Sequence, residues 1–154
     1  IWDQVLSARP NARLLIVGDG SHEGVARDLV TRYPESIKWL HFRKDPRPCY
    51  GAADAMLLTT HAEGLANTLL EALATGLPAV VSDAPENLEV GGGTSFLIPF
   101  GDSSEHDLAT AIIEAIDSRS RWHELSAAAR TRAVEQYGLQ ATAAKWAALY
   151  RSLL

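Results

Sequence analysis

Two carboxylates, Glu63 and Glu71, flank a turn and a helix start in Glu63-Gly64-Leu65-Ala66-Asn67-Thr68-Leu69-Leu70-Glu71. Ala53 to Thr60 is a short apolar run of the kind a buried strand shows, and Gly64 marks the turn that ends it. Asn67 then suits an N-cap, and Leu69, Leu70, Ala72, Leu73 and Ala74 carry a helix to Gly76, a C-cap candidate followed by Pro78. In such a strand, loop and helix, the backbone N–H groups of Ala66, Asn67, Thr68 and Leu69 are the unpaired donors of the first turn. Together they carry about half a positive charge, which is where a phosphate sits without help from a lysine. Glu71 lies one turn beyond Asn67 on the same face, placed to accept hydrogen bonds from the two hydroxyls of a ribose. Glu63, in the loop ahead of the helix, projects toward the far end of a diphosphate, where a sugar would be. The same spacing also fits a plain surface helix, because the macrodipole alone stabilises acids near a helix start by about 0.3–1 kcal/mol.

The elements that must position these groups alternate. The pattern predicts strands near 13–17, 37–40, 54–59, 78–82 and 95–98, with helices near 22–33, 67–75 and 104–117. Strand followed by helix implies a parallel sheet, hence an α/β, Rossmann-like domain flanked by helices. Ligands of such sheets bind beyond the carboxyl ends of the strands. Gly18, Arg43, Glu63 and Asp83 all follow predicted strands and are expected on one rim. The tail from Ser120 to Leu154 has a long helical pattern that Gly138 divides into two helices.

Residues 63 to 83, EGLANTLLEALATGLPAVVSD, resemble the signature of retaining glycosyltransferases of the GT-B fold, the large group called family 4 or group 1. Leu14 to Gly20, Tyr50 to Asp54 and Gly93 to Asp102 are similar to the family's other landmarks in the same order, so the likeness covers nearly the whole chain. It implies that the chain is the donor-binding C-terminal half of a glycosyltransferase, moving a sugar from a nucleoside-diphosphate sugar to an acceptor. Glu71 would bind the donor ribose and Glu63 would face the donor sugar. The backbone of Gly64, Leu65, Ala66, Asn67, Thr68 and Leu69 would hold the diphosphate and sugar. The family's loop after the second strand runs near the nucleobase, where Arg43 would stack on a base or support a phosphate; a solvated loop is the plainer account of Arg43, Lys44 and Arg47.

Departures from the family pattern are informative as well. Its members carry an arginine and a lysine on and just after the first strand of this domain. This chain opens at Ile1-Trp2-Asp3 within what reads as the helix preceding the Leu14 strand. It is therefore expected to lack that first strand and the N-terminal acceptor domain, and to be one domain over 1–154 with terminal helices at 120–154. As a fragment it should bind donor but scarcely catalyse, and any membrane association would reside in the missing half. After Asp83, Pro85 and Glu86 stand where the family places glycines, although Glu89 matches its glutamate.

Other classes are disfavoured. A net charge of −5 and a pI near 5.5 oppose nucleic-acid binding. The single cysteine, Cys49, forms no internal disulfide, no apolar stretch approaches a membrane span, and cytoplasm is the default compartment. Gly18-Asp19-Gly20 lacks the third glycine of a dinucleotide fingerprint, because Glu23 stands there. His22, His41, His61, His106 and His123 have no metal-ligand spacing and no Asp-x-Asp pair exists, which favours transfer without a metal or other cofactor. Of these histidines only His61 is near the expected site. Two rivals remain: a GT-B sugar-nucleotide epimerase, and a non-catalytic α/β module whose glutamates are mere helix-start charges.

Overall fold

The structure, a computed structural model, describes residues 1–60, 64–92, 97–101 and 105–153. Its elements are α1 (Trp2–Ala8), β1 (Leu14–Val17), α2 (Glu23–Arg32), β2 (Ile37–Leu40), α3 (Arg47–Ala52), β3 (Met56–Leu58), α4 (Asn67–Ala74), β4 (Ala79–Ser82), α5 (Pro85–Gly91), β5 (Leu97–Phe100), α6 (Glu105–Asp117), α7 (Trp122–Arg132) and α8 (Leu139–Ser152). The expected alternation is present, with all strand pairs parallel. The strands do not, however, form one continuous ladder. β1 pairs with β2, while β3, β4 and β5 form a separate sheet in that order.

Each sheet is built on branched apolar residues that a two-residue period sends to opposite faces. Leu14, Ile16 and Ile37 meet Trp2 and Val5 of α1, Leu29 and Val30 of α2, and Ala109, Ile112 and Ile116 of α6. On the three-stranded sheet, Leu58, Ala79, Val81 and Leu97 pack against Leu69 and Leu73 of α4, Val90 of α5, and Leu125 and Ala129 of α7. Its other face, with Leu57, Val80, Ile98 and Phe100, receives Leu108, Ala111 and Ala115 of α6. Thus α6 touches both sheets. Arg9 at the end of α1 forks onto Asp117 at the end of α6, with Nε to Oδ1 at 2.6 Å, and Trp2 Nε1 donates to Ser36 Oγ at 2.9 Å.

Several expectations shift. α3 and α5 are helices where the pattern gave only loops. Prolines at their first turns, Pro48 and Pro85, supply preset φ angles and lack only an N–H that the first turn leaves unpaired anyway. Residues expected to open the last strand at 95 and 96 lie outside the described residues; the strand runs to Phe100. Gly138 does separate α7 from α8, after a π-helical turn at Ala133–Tyr137. Along α8 and just beyond it, Leu139, Trp146, Leu149, Tyr150 and Leu153 are exposed, so Trp146 and Tyr150 do not join the domain core.

Candidate functional site

α4 follows the carboxyl end of β3. Its N-cap is Ala66, in extended conformation at φ −73° and ψ 94°, rather than Asn67, which is the first helical residue. Ala66 is buried and holds the extended entry, so the Asn67 side chain starts one position too late to cap. The first intrahelical bond runs from Leu70 N–H to the Ala66 carbonyl at 3.1 Å. The amides of residues 66–69 thus precede the helical ladder, and among the described residues no side-chain cap hydrogen bond is made at the N-cap. Leu69 and Leu73 anchor the helix in the core, while Asn67, Thr68 and Glu71 face outward. A buried apolar stripe therefore fixes the direction in which the polar stripe points.

Glu71 is exposed, and Tyr50 of α3 donates its hydroxyl to Glu71 Oε2 at 2.9 Å. Burial first, and then the hydrogen bond to Glu71, push the Tyr50 phenol well above its ordinary range, so it remains a donor at physiological pH. One bond leaves most of the roughly four lone-pair sites of a carboxylate available while orienting it. Tyr50 belongs to a motif quoted in the sequence, but nothing there connects it to a carboxylate 21 residues away.

The loops after β1 and β2 are braced together. Gly18 has φ +120°, a region glycine enters freely, and its carbonyl accepts from Trp39 Nε1 at 2.8 Å. Asp19 takes the Phe42 N–H at 2.9 Å and meets His41 Nδ1 at 2.7 Å. The Phe42 amide, followed by the His41 bond, holds the Asp19 carboxyl below the usual carboxylate range. Beyond the brace, the Phe42 ring is 73% exposed and Arg43 is exposed. Within this sheet Gly18 and Arg43 share a rim.

In the other sheet the carboxyl ends of β3 and β4 are tied by a polar thread. Asn87 of α5, 1% exposed, donates Nδ2 to Ser82 Oγ at 3.0 Å, and Ser82 Oγ donates to the Thr60 carbonyl. Asp83 is exposed and its N–H donates to the Phe100 carbonyl at 3.0 Å. Gly64 and Leu65 are exposed next to the helix start, and a Cβ at Gly64 would meet no atom within 4 Å. Glu63 and His61 lie outside the described residues. A cavity of about 320 Å³ opens at the opposite end of α4, among Asp54, Gly76, Pro78, Trp122 and His123, and shares only Tyr50 with the groups above. Among the described residues no cluster of three or more His, Cys, Asp or Glu could hold a metal ion, and no helix is long and apolar enough to cross a membrane.

Residues 1–118 match the family described as Glycosyl transferases group 1. Among curated relatives, the chain is 33% identical over 139 residues to the GDP-mannose-dependent monoacylated alpha-(1-6)-phosphatidylinositol monomannoside mannosyltransferase of Corynebacterium glutamicum. That match covers 82% of this chain and 35% of the relative. It is 32% identical over 120 residues to the GDP-mannose-dependent alpha-mannosyltransferase of Mycobacterium tuberculosis, covering 76% of this chain and 31% of the relative. The chain thus spans about a third of the length of these relatives. Among solved structures, Anabaena HepE in complex with UDP superposes with TM-score 0.80 at 22% identity, covering 99% of this chain and 44% of that one. A mutant of S. aureus TarM in complex with Fondaparinux, alpha-GlcNAc-glycerol and UDP gives TM-score 0.83 at 18% identity, covering 96% and 31%. Sequence and fold agree, and the chain belongs to the glycosyl transferases group 1 family, with the architecture of a GT-B C-terminal domain.

Proposed function

We propose that this domain binds the nucleoside-diphosphate sugar of a retaining, metal-independent glycosyltransferase. The observation that carries the reading is the exposed Glu71 carboxylate, held by Tyr50, one turn inside a helix whose N-cap makes no side-chain cap hydrogen bond among the described residues. Amides 66–69 would take the diphosphate by dipole and direct hydrogen bonds, and Gly64 and Leu65 would let the ligand approach the backbone closely. Glu71 would accept from both ribose hydroxyls. Glu63 would face the sugar and favour the positive charge that develops on it as the diphosphate leaves. The main catalytic task of the site is stabilising that departing charge. Gly18 and Arg43, on the rim of the first sheet, would border the nucleobase.

Acceptor binding and full activity are assigned to polypeptide outside these residues, as is any membrane association; donor binding is assigned to the cytoplasm. Two relatives are named GDP-mannose-dependent, which makes GDP the first ligand to test and UDP the comparison. Calorimetric titration of the 154-residue chain should give saturable nucleotide binding. Glu71→Ala should weaken it by at least about tenfold, since hydrogen bonds to a charged group contribute about 1.5–3 kcal/mol each and 1.4 kcal/mol is a factor of ten. Unchanged affinity in that variant rejects the ribose role, and absence of binding to every nucleoside diphosphate rejects the reading itself. Gly64→Val should leave the fold intact, because its side chain enters open space, yet reduce binding.

A further inference from the structure

Glu71 and Tyr50 stand on two helices that flank β3 in the chain. Glu71 is the fifth residue of α4, and Tyr50 is the fourth of α3. The Glu71 side chain is exposed and turns about several bonds, so its carboxylate samples many rotamers unless something outside its own helix holds it. Among the described residues no lysine, arginine or histidine pairs with it. What meets it is the Tyr50 hydroxyl, donating to Oε2 at 2.9 Å across 21 residues of sequence.

That phenol is suited to orienting a carboxylate rather than to filling the core. Tyr50 is half-buried, yet it joins none of the apolar clusters among the described residues. The helix that carries it is fixed at its start. Asp45 accepts the Arg47 N–H at 3.1 Å and the guanidinium Nε and Nη2 each at 2.7 Å. The Cys49 and Tyr50 N–H groups donate to the Pro46 carbonyl at 2.9 and 3.2 Å. A tyrosine turns about only two side-chain bonds, which makes its hydroxyl a stiffer post than the head of a lysine. The phenol is also neutral. A cation in its place would hold Glu71 but cancel its charge, whereas the phenol leaves that charge for other hydroxyl groups, whose bonds to an ionised acceptor are shorter and stronger than neutral ones.

We propose that Tyr50 is a positioning residue for ribose recognition: by holding Glu71 Oε2 it presents the remaining lone pairs of the carboxylate to a cis-diol, and so makes the site select nucleotides with an intact ribose over those lacking its hydroxyls. The inference rests on the donor-binding reading and deepens it, because it gives α3 a share of a selectivity that α4 alone would not have. The ribose meets a carboxylate already in place, so the ordering of one long side chain precedes binding. The opposite role, in which Tyr50 plugs the carboxylate until ligand displaces it, reverses the sign of the effect: loss of the hydroxyl would then tighten binding.

Calorimetric titration of the 154-residue chain with GDP, with UDP and, for whichever binds, with the analogue whose ribose lacks both hydroxyls tests the proposal. Tyr50→Phe keeps the ring. It should weaken binding of the ribonucleotide by about three- to tenfold while leaving the analogue within about twofold, which narrows the selectivity by the first factor. In a Glu71→Ala background the same change should shift ribonucleotide affinity by less than about twofold, because the carboxylate that Tyr50 orients is gone. Equal weakening for both ligands, unchanged or tighter ribonucleotide binding, or an undiminished loss in the Glu71→Ala background would each overturn the role of Tyr50, while Glu71→Ala by itself still reports on the ribose contact. A wild-type chain that binds neither nucleotide overturns the donor reading, and this inference with it. If Tyr50→Phe does not fold, NMR of the wild-type chain decides: a Tyr50 hydroxyl proton that stays hydrogen-bonded when GDP or UDP saturates the chain supports positioning, and its release on binding overturns it.

Discussion

The two sheets of this domain are made differently. All of β4 is buried, and the three-stranded sheet has helices on both faces. β1 alternates between half-buried and exposed, and only one face of the two-stranded sheet is packed by helices among the described residues. The first sheet makes up for thin packing with polar braces: Trp39 to Gly18, and Asp19 to His41 and Phe42. The comparison teaches where rigidity is placed. The helix start that would grip phosphates stands on the fully packed sheet, while the loops bordering the base stand on the braced one.

The largest effect that checks this contrast is in the cores. Leu73→Ala, at a side chain with no exposure, should destabilise the domain by about 2–5 kcal/mol. Leu15→Ala should stay under about 1 kcal/mol, as expected of a partly exposed side chain. Urea unfolding measures both, and equal losses would break the distinction. The turn glycines sharpen it at smaller scale. Gly76 has φ +82° and a Cβ there would run into Ser126 of α7, so Gly76→Ala combines strain with a clash. Gly18→Ala meets no neighbour and adds strain alone, which is about 1–3 kcal/mol. Gly76→Ala should therefore be the worse of the two in thermal melts.

The smallest effect concerns pH. The folded-state pKa of Asp19 is depressed, so the stability it contributes is fully present above the ordinary value of 3.8 and is lost as pH falls through the lower folded value. Asp19→Asn should flatten that acid limb of the stability curve. It should also speed amide exchange at Phe42 while leaving α4 unchanged, and matching changes in α4 would show that the two sheets are not independent.

Much of this was legible in the sequence for identifiable reasons. Short apolar runs marked β1 to β4, with Gly18 directly after β1 and Gly64 in the turn beyond β3, and the Leu69 and Leu73 spacing marked α4 and its outward face. α3 and α5 were hidden because their prolines read as turn signals, although proline is equally at home in a first helical turn. The cap at Ala66 was missed because capping preference favours Asn67 by residue type, whereas the extended backbone of a buried alanine decides the start. Periodicity locates strands but not their partners, so the separation of the two sheets had no local signal. The Tyr50 to Glu71 bond likewise joins residues that only the folded chain brings together.

The thread from Asn87 through Ser82 to the Thr60 carbonyl spans the ends of two strands and a helix. It leaves Asn87 Oδ1 and Thr60 Oγ1 buried and without hydrogen-bond partners among the described residues. Unpaired buried polar atoms are each unfavourable by about 1–3 kcal/mol. Asn87, 1% exposed, is therefore a side chain through which the ends of β3 and β4 are joined to α5, and one substitution there disturbs all three at once.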